Sequence, residues 1–185
     1  VIYSLGRPLE SLAAGRIFPG NTDQVVVRVR EEILVADWRA GKWQIITRVP
    51  LPGLSRAMKG VDLDRDGDMD LLAAVRIGPE REHLLVFRNE EGRLTLIQTI
   101  PTGLVSPGDY PVKMMARDFN GDGMAEVALQ MFSDTVQLYR AGADGVFTRW
   151  ASVDPFPAGE LEAMDVADFD GDGYEKDVSA FVKVC

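Results

Sequence analysis

Residues 62–70, DLDRDGDMD, place carboxylates at positions 1, 3, 5 and 9 of a short segment with Gly67 at position 6. Alternating acids around a sharp turn can direct several oxygens at one point, and Ca²⁺ takes about six to eight oxygen ligands. Mg²⁺ fits less well because it dehydrates reluctantly and demands octahedral geometry. The segment therefore predicts a Ca²⁺ site.

The same arrangement occurs twice more. Residues 118–126 read DFNGDGMAE and residues 168–176 read DFDGDGYEK, so the first Asp residues of the three loops are spaced by 56 and 50 residues. The third loop has Lys176 at position 9, and its next acid, Asp177, comes one residue late. The number of carboxylates predicts that the first loop binds Ca²⁺ tightest, the second next and the third most weakly.

An EF-hand loop starts with the same spacing, but it needs a bidentate Glu at position 12 and a helix on each side. Position 12 is Ala73, Leu129 and Ser179 in the three loops, and each lies in a run typical of a β-strand. None of these side chains can replace the Glu, so the sequence argues against an EF-hand.

The loops open longer internal repeats, which decide the fold prediction. A fourth, eroded copy precedes them, with Gly20 aligned with Gly67 and Asp23 aligned with Asp70. This copy lacks the other carboxylates. We therefore expect it to keep the hairpin and to lose the metal.

Runs of β-branched and aromatic residues, separated by turn-forming residues, follow the loops. They predict strands at 25–29, 32–38, 43–49, 69–75, 83–89, 94–100, 127–132, 135–140 and 146–150. Residues 110–116 and 158–167 could also be read as helix, but each runs directly into an Asp loop and is predicted to be the innermost strand of its unit. Each repeat then supplies about four strands, the content of a propeller blade.

The predicted fold class is all-β, with about 3.5–4 propeller blades of four antiparallel strands. The predicted units of a single repeat domain, residues 1–185, are a degenerate blade at about 10–50, blades at 56–100 and 111–150, and a half blade at 160–185. Stacking buries the faces that a lone blade would expose. Residues 1–5 could be the outer strand of a preceding blade or could close the ring, so both a small propeller and part of a larger one stay open.

The pattern D-F-[DN]-G-D-G, with an acid at position 9 and then an apolar strand, resembles the FG-GAP/VCBS repeat family, which includes the integrin α-subunit propeller. The resemblance implies two to three Ca²⁺ ions, each held in the hairpin between the first two strands of a blade. The implied ligands occupy positions 1, 3, 5, 7 and 9, position 7 acting through its main-chain carbonyl and Asp177 replacing position 9 in the third loop. They are Asp62, Asp64, Asp66, Asp68, Asp70, Asp118, Asn120, Asp122, Met124, Glu126, Asp168, Asp170, Asp172, Tyr174 and Asp177.

Charge and composition narrow the function. The net charge of −9 argues against a nucleic-acid partner. Of the 29 acids, 13 lie in residues 62–70, 118–126 and 168–177, where bound cations would relieve their repulsion. No apolar run is long enough to span a membrane, so no membrane insertion is expected. The first residues lack signal-peptide features and an initiator Met, which indicates a processed product or a fragment.

No catalytic set is recognisable. His83 is the only histidine and has no nucleophile motif near it. Trp38, Trp43 and Trp150 could stack on a sugar ring, although packing between blades is the favoured interpretation. The sequence predicts a non-catalytic module.

We expect this module to bind a protein or a glycan, in scaffolding or cell adhesion, at an extracellular, cell-surface or periplasmic location. The alternative is the propeller portion of a secreted polysaccharide lyase or another hydrolytic enzyme, such as a phospholipase. The chain could also be a subunit of a larger assembly. Its only cysteine, Cys185, could tether another chain or lie buried in a strand.

Overall fold

The computed structural model describes residues 11–18, 23–29, 31–78, 82–103, 110–119, 121–133, 135–142 and 145–153. Its twelve strands are β1 Ser11–Gly15, β2 Gln24–Val29, β3 Glu32–Arg39, β4 Lys42–Pro50, β5 Leu54–Val61, β6 Asp70–Arg76, β7 Glu82–Glu90, β8 Arg93–Pro101, β9 Pro111–Arg117, β10 Glu126–Met131, β11 Val136–Ala141 and β12 Phe147–Val153. No helix occurs in these ranges, and therefore none there is long and apolar enough to cross a membrane.

The strands form three four-stranded antiparallel sheets, each a simple meander: β1-β2-β3-β4, β5-β6-β7-β8 and β9-β10-β11-β12. This confirms the prediction of all-β, four-stranded units, and it confirms that residues 110–116 form a strand and not a helix, since β9 is the first strand of its sheet. Residues 1–5, residues 158–167 and the half blade at 160–185 lie outside the described ranges.

Each sheet repeats the same irregularity. The ladder between its third and fourth strands shifts register by one residue, at Val35/Ala36, Val86/Phe87 and Leu138/Tyr139. A bulge of this kind bends and twists the outer strand. The common position of the bulge shows that the three sheets are copies of one structural unit.

The chain divides into two compact units, Val1–Pro101 and Thr102–Cys185. In the first unit, apolar side chains of two sheets form one core, because alternate residues of a strand point to the same face. This core includes Ile17, Val26, Ile33, Val35, Leu71, Ala73, Val75, Leu85 and Phe87. Two adjacent sheets of the first unit are thus packed face to face.

Met69 lies at the centre of this packing. A Cβ atom at Gly15 or at Gly60 would meet the Met69 side chain, 2.6 Å from its sulfur in the case of Gly15. The two glycines therefore leave the space that the Met69 thioether fills. Met69 directly precedes β6.

The second unit contains the sheet β9–β12. One face is closed by the buried residues Phe119, Ala128, Val136 and Leu138. The central strand β10 is buried along its whole length, including its two polar residues, Glu126 and Gln130.

The first sheet keeps the hairpin of the eroded copy, but its register differs from the predicted alignment. Gly15 pairs with Gln24, as Val61 pairs with Asp70. The residue equivalent to Asp70 is therefore Gln24, one position later than the predicted Asp23. By the same register, Arg16 occupies position 1 of this copy.

Candidate metal centre

The loop 62–70 joins β5 to β6 and is folded by its own first aspartate. The Asp62 carboxylate accepts hydrogen bonds from the backbone N–H groups of Arg65, at 2.7 Å, and Gly67, at 3.0 Å. Short Asp side chains commonly stabilise turns in this way. Gly67 has φ of +86°, a left-handed conformation in which glycine carries no Cβ penalty.

The loop 118–126, between β9 and β10, repeats this template. The Asp118 carboxylate accepts from the N–H groups of Gly121 and Gly123, both at 2.7 Å, and Gly123 has φ of +85°. The two loops therefore share the same two hydrogen bonds, from the N–H groups of positions 4 and 6 to the aspartate at position 1.

Position 5 has a matching role in both loops. One carboxylate oxygen of Asp66 accepts the N–H of Asp68 at 2.8 Å, and one of Asp122 accepts the N–H of Met124 at 2.8 Å. The structure thus places Asp68 and Met124, the predicted main-chain ligands, directly after the glycine bend.

Position 9 acts as a clamp that closes the loop. Asp70 accepts the N–H of Leu63 at 2.8 Å and Glu126 accepts the N–H of Phe119 at 2.7 Å. In the eroded copy Gln24 does the same for Ile17 at 2.9 Å. The clamp needs an acceptor oxygen and no charge, which explains how the eroded copy keeps its hairpin without an acid.

Three acids of the first loop come together. One carboxylate oxygen from each of Asp62, Asp64 and Asp70 lies within 4.8 Å of the others. This is the one such group of three or more His, Cys, Asp or Glu side chains in the described ranges. Oxygen donors of this kind suit a hard cation such as Ca²⁺, so the residues present fit the ion implied by the sequence.

The surroundings of Asp70 disfavour its ionised form when no cation is bound. The pKa of Asp70 is raised from an ordinary 3.8 to about 6, chiefly by burial and to a smaller extent by the charges of Asp64 and Asp66, against the lowering effect of backbone hydrogen bonds. One of these bonds comes from the N–H of Asn89, at 2.6 Å. A bound cation would favour the ionised carboxylate and reverse this shift.

Two arginines that the local sequence pattern does not indicate border the first loop: Arg16, which directly follows β1, and Arg88, which lies in β7. The Arg16 Nε donates to Asp68 Oδ1 at 2.8 Å, and its Nη2 donates to the carbonyl oxygen of Gly67 at 2.6 Å. The Arg88 Nε lies 3.3 Å from Asp64 Oδ2. Each arginine reduces the negative charge that the loop presents to an ion.

Hydrogen bonds around Arg16 connect the eroded copy to the first loop and its sheet. The N–H of Met69 donates to the carbonyl of Arg16 at 2.6 Å, and the Asn89 amide donates to the carbonyl of Ile17 at 2.7 Å. A cation thus stands at position 1 of the eroded copy, where the other loops have Asp, and it binds the neighbouring loop. In the sequence, the only indication of this contact is the polar residue Gln24 directly before an apolar run.

Of the predicted ligands in the second and third loops, the structure describes some and not others. In the second loop Asp118, Asp122, Met124 and Glu126 are described and Asn120 is not. The third-loop residues, namely Asp168, Asp170, Asp172, Tyr174 and Asp177, lie outside the described residues.

A family model described as FG-GAP-like repeat matches residues 62–129 and 118–176. Together these ranges cover more than half of the chain. The chain belongs to the FG-GAP-like repeat family. The two matches begin at Asp62 and Asp118, the first residues of the two described loops, and the second match ends at Lys176, position 9 of the third.

A comparison with solved structures agrees on the fold of this FG-GAP-like repeat chain. The structure described as "Crystal structure of BBS1N in complex with ARL6DN, soaked with lead" is similar at a TM-score of 0.56 and 10% sequence identity. The likeness covers 78% of this chain and 43% of that chain, so the chain spans less than half of its length. At this identity the likeness shows a β-propeller type of fold and nothing about ligands. No curated protein matches the sequence.

Proposed function

We propose that this FG-GAP-like repeat chain is a non-catalytic, Ca²⁺-stabilised propeller module that binds a protein or a glycan outside the cytosol. The observation that carries the metal part is the convergence of Asp62, Asp64 and Asp70 within 4.8 Å. The loop that holds them has a hydrogen-bond template repeated at residues 118–126. Two loops built alike indicate one shared task.

The ions would act on stability. A ligand that binds only the folded form adds RT ln(1 + [L]/Kd), about 2.7 kcal/mol per site at a hundredfold excess over Kd. For a chain of this size, that corresponds to a rise in Tm of roughly 5–10 °C per site. Loops with solvent-exposed acids bind Ca²⁺ best where it is abundant, which supports an extracellular, cell-surface or periplasmic location.

A partner-binding role is supported by the architecture of the blades, since binding residues are often found on the loops that join the strands of such scaffolds. The similar solved structure is of BBS1N in complex with ARL6DN, an instance of this type of fold within a protein complex. A role as one subunit of a larger assembly follows the same logic.

The metal proposal is tested by thermal unfolding in millimolar Ca²⁺ and in excess EDTA. We expect a higher Tm with Ca²⁺, and an unchanged Tm would contradict the proposal. Calorimetry on Asp66→Ala, Asp122→Ala and Asp172→Ala tests the ranking, because we expect the largest loss of affinity in the first loop and the smallest in the third. Equal losses would refute the ranking. Asp23→Ala is the matched control, since this exposed acid lies in the eroded copy and its loss should leave Ca²⁺ binding unchanged.

A further inference from the structure

The turn between β3 and β4 carries an unusual sequence, Trp-Arg-Ala-Gly-Lys-Trp, at residues 38–43. Ala40 and Gly41 have φ of 50° and 76°, as a two-residue type I′ hairpin turn requires. Trp38 and Trp43 are directly opposite in the ladder, and their rings meet edge to face with centroids 5.5 Å apart. We call residues 38–45 the tryptophan tip.

Much of the aromatic surface of the tip is exposed to solvent. Trp38 is 50% exposed, Trp43 36% and Ile45 37%. The equivalent opposed pair in the second sheet is Asn89 and Leu94, and there Asn89 is fully buried, donating to the carbonyls of Ile17 and Met69. The same place in the repeat therefore serves packing in one blade and is exposed in the other.

The tip is cationic in a chain whose net charge is −9. Arg39 and Lys42 flank the turn, and the Arg39 side chain is 55% exposed. In the second sheet the corresponding turn residues are Glu90 and Arg93, with Glu91 between them. An anionic ligand would find at the tip an attraction that most of the surface does not offer.

The tip is also held rigid. The Arg39 Nε donates to Asp37 Oδ2 at 2.8 Å, and this bond lowers the pKa of the largely buried Asp37 carboxyl, which keeps it ionised. The Gln44 amide donates to the carbonyl of Arg39 at 3.1 Å. A preorganised site loses little conformational freedom on binding.

We infer that the tryptophan tip binds an acidic oligosaccharide. The electron-rich face of an indole attracts the polarised C–H groups of a sugar ring. Lys42 can bind a carboxylate or sulfate on the sugar, and Arg39, whose Nε is paired with Asp37, can add a hydrogen bond from its remaining N–H groups. The tip has eight residues, and a protein interface needs roughly 20–30 residues on each side. An anionic bilayer would face the acidic remainder of the chain as well, whereas an oligosaccharide contacts the tip alone.

This inference rests on the interaction role proposed above and deepens it, but it does not depend on the metal loops. The test uses the whole chain and two anionic probes, a hexamer of galacturonate and a sulfated hexasaccharide, which distinguish carboxylate from sulfate recognition. Binding is followed by calorimetry and by tryptophan fluorescence, in Ca²⁺ and again in EDTA. Because the readout is sugar binding, a chain that binds no Ca²⁺ but still binds sugar leaves this inference standing.

Two variants and one matched control decide the outcome. Trp43→Leu, which installs the residue found in the second sheet, should weaken binding about tenfold. Lys42→Gln should weaken it about three- to fivefold, and it keeps the test valid if Trp43→Leu fails to fold. Arg93→Gln removes the equivalent cation of the second sheet and should change nothing.

Several results would overturn the inference. They are no binding of either anionic probe, equal binding by Trp43→Leu or Lys42→Gln, and equal binding of the neutral hexamer of glucose. Tighter binding to polyglutamate would indicate an acidic protein partner instead, and tighter binding to phosphatidylglycerol vesicles would indicate a membrane surface.

Discussion

Removing the guanidinium of Arg16 should loosen the first loop from the eroded copy. In Arg16→Met the apolar stem stays, but the ion pair with Asp68 and the hydrogen bond to the Gly67 carbonyl are lost. The Arg16 side chain is 44% exposed and that of Asp68 is 15% exposed, so solvent screens the pair only in part.

The expected cost follows from these exposures. A fully exposed ion pair contributes about 0.2–1 kcal/mol, and a hydrogen bond to a charged group contributes about 1.5–3 kcal/mol when it is buried. For this half-buried arrangement we expect a loss of about 1.5 kcal/mol in the free energy of unfolding in EDTA. In a chain of this length, the loss lowers Tm by roughly 3–6 °C.

The same substitution should strengthen Ca²⁺ binding at the first loop. The repulsion between a nearby cationic side chain and a divalent ion, screened as in water, is on the order of 1 kcal/mol, so removing the Arg16 charge should raise the Ca²⁺ affinity about fivefold. Thermal unfolding in EDTA and calorimetry with Ca²⁺ measure the two effects separately.

Arg48→Met is the matched control. Arg48 pairs with Glu32 at 3.1 Å within one sheet, and we expect a change in unfolding free energy of less than about 0.5 kcal/mol. The reasoning is refuted if Arg16→Met is as stable as the original chain, or if its Ca²⁺ affinity falls.

Three further predictions concern single positions. In EDTA the pKa of Asp70 is raised to about 6, so its contribution to the free energy of unfolding is complete below pH 3.8 and is lost as the pH rises through 6. Ca²⁺ should abolish this loss of about 2–3 kcal/mol. Stabilities from urea unfolding that fall equally with pH in the presence and absence of Ca²⁺ would contradict this prediction. Gly60→Ala should destabilise by about 1–2 kcal/mol because the new methyl meets Met69; additive costs with Met69→Ala in a double-mutant cycle would argue against this contact. Tyr139→Phe should cost about 1–2 kcal/mol, since the fully buried hydroxyl donates to the Gln137 side chain at 2.6 Å; a neutral result in chemical denaturation would show that this bond contributes nothing.

The strands and their order could be predicted from the sequence because local pattern decides them. The Asp loops fix where each hairpin turns, and the runs that follow match β6, β7, β8 and β10 closely. The predicted alignment of the eroded copy with the acidic loops was wrong by one residue. Gly20 and Asp23 resemble the acidic loops in composition, but the hairpin depends on the acceptor oxygen of Gln24, and an amide supplies that as well as an acid.

The surroundings of the loop could not be predicted in the same way. Arg16 and Arg88 reach the loop from distant points in the chain, and a pattern of local spacing does not contain such contacts. The position 9 acids were read only as ligands, whereas both oxygens of Asp70 also accept backbone N–H groups. The exposure of Trp38 likewise depends on what the neighbouring blade supplies, which no single repeat reveals.

Counting the Ca²⁺ ions bound per chain shows whether the acidic loops are metal sites. After equilibrium dialysis against millimolar Ca²⁺ at neutral pH, bound metal can be counted by atomic absorption, with Asp62→Ala and Asp118→Ala each expected to lose one ion. We expect two to three ions on the unaltered chain. A count of one or none would contradict it.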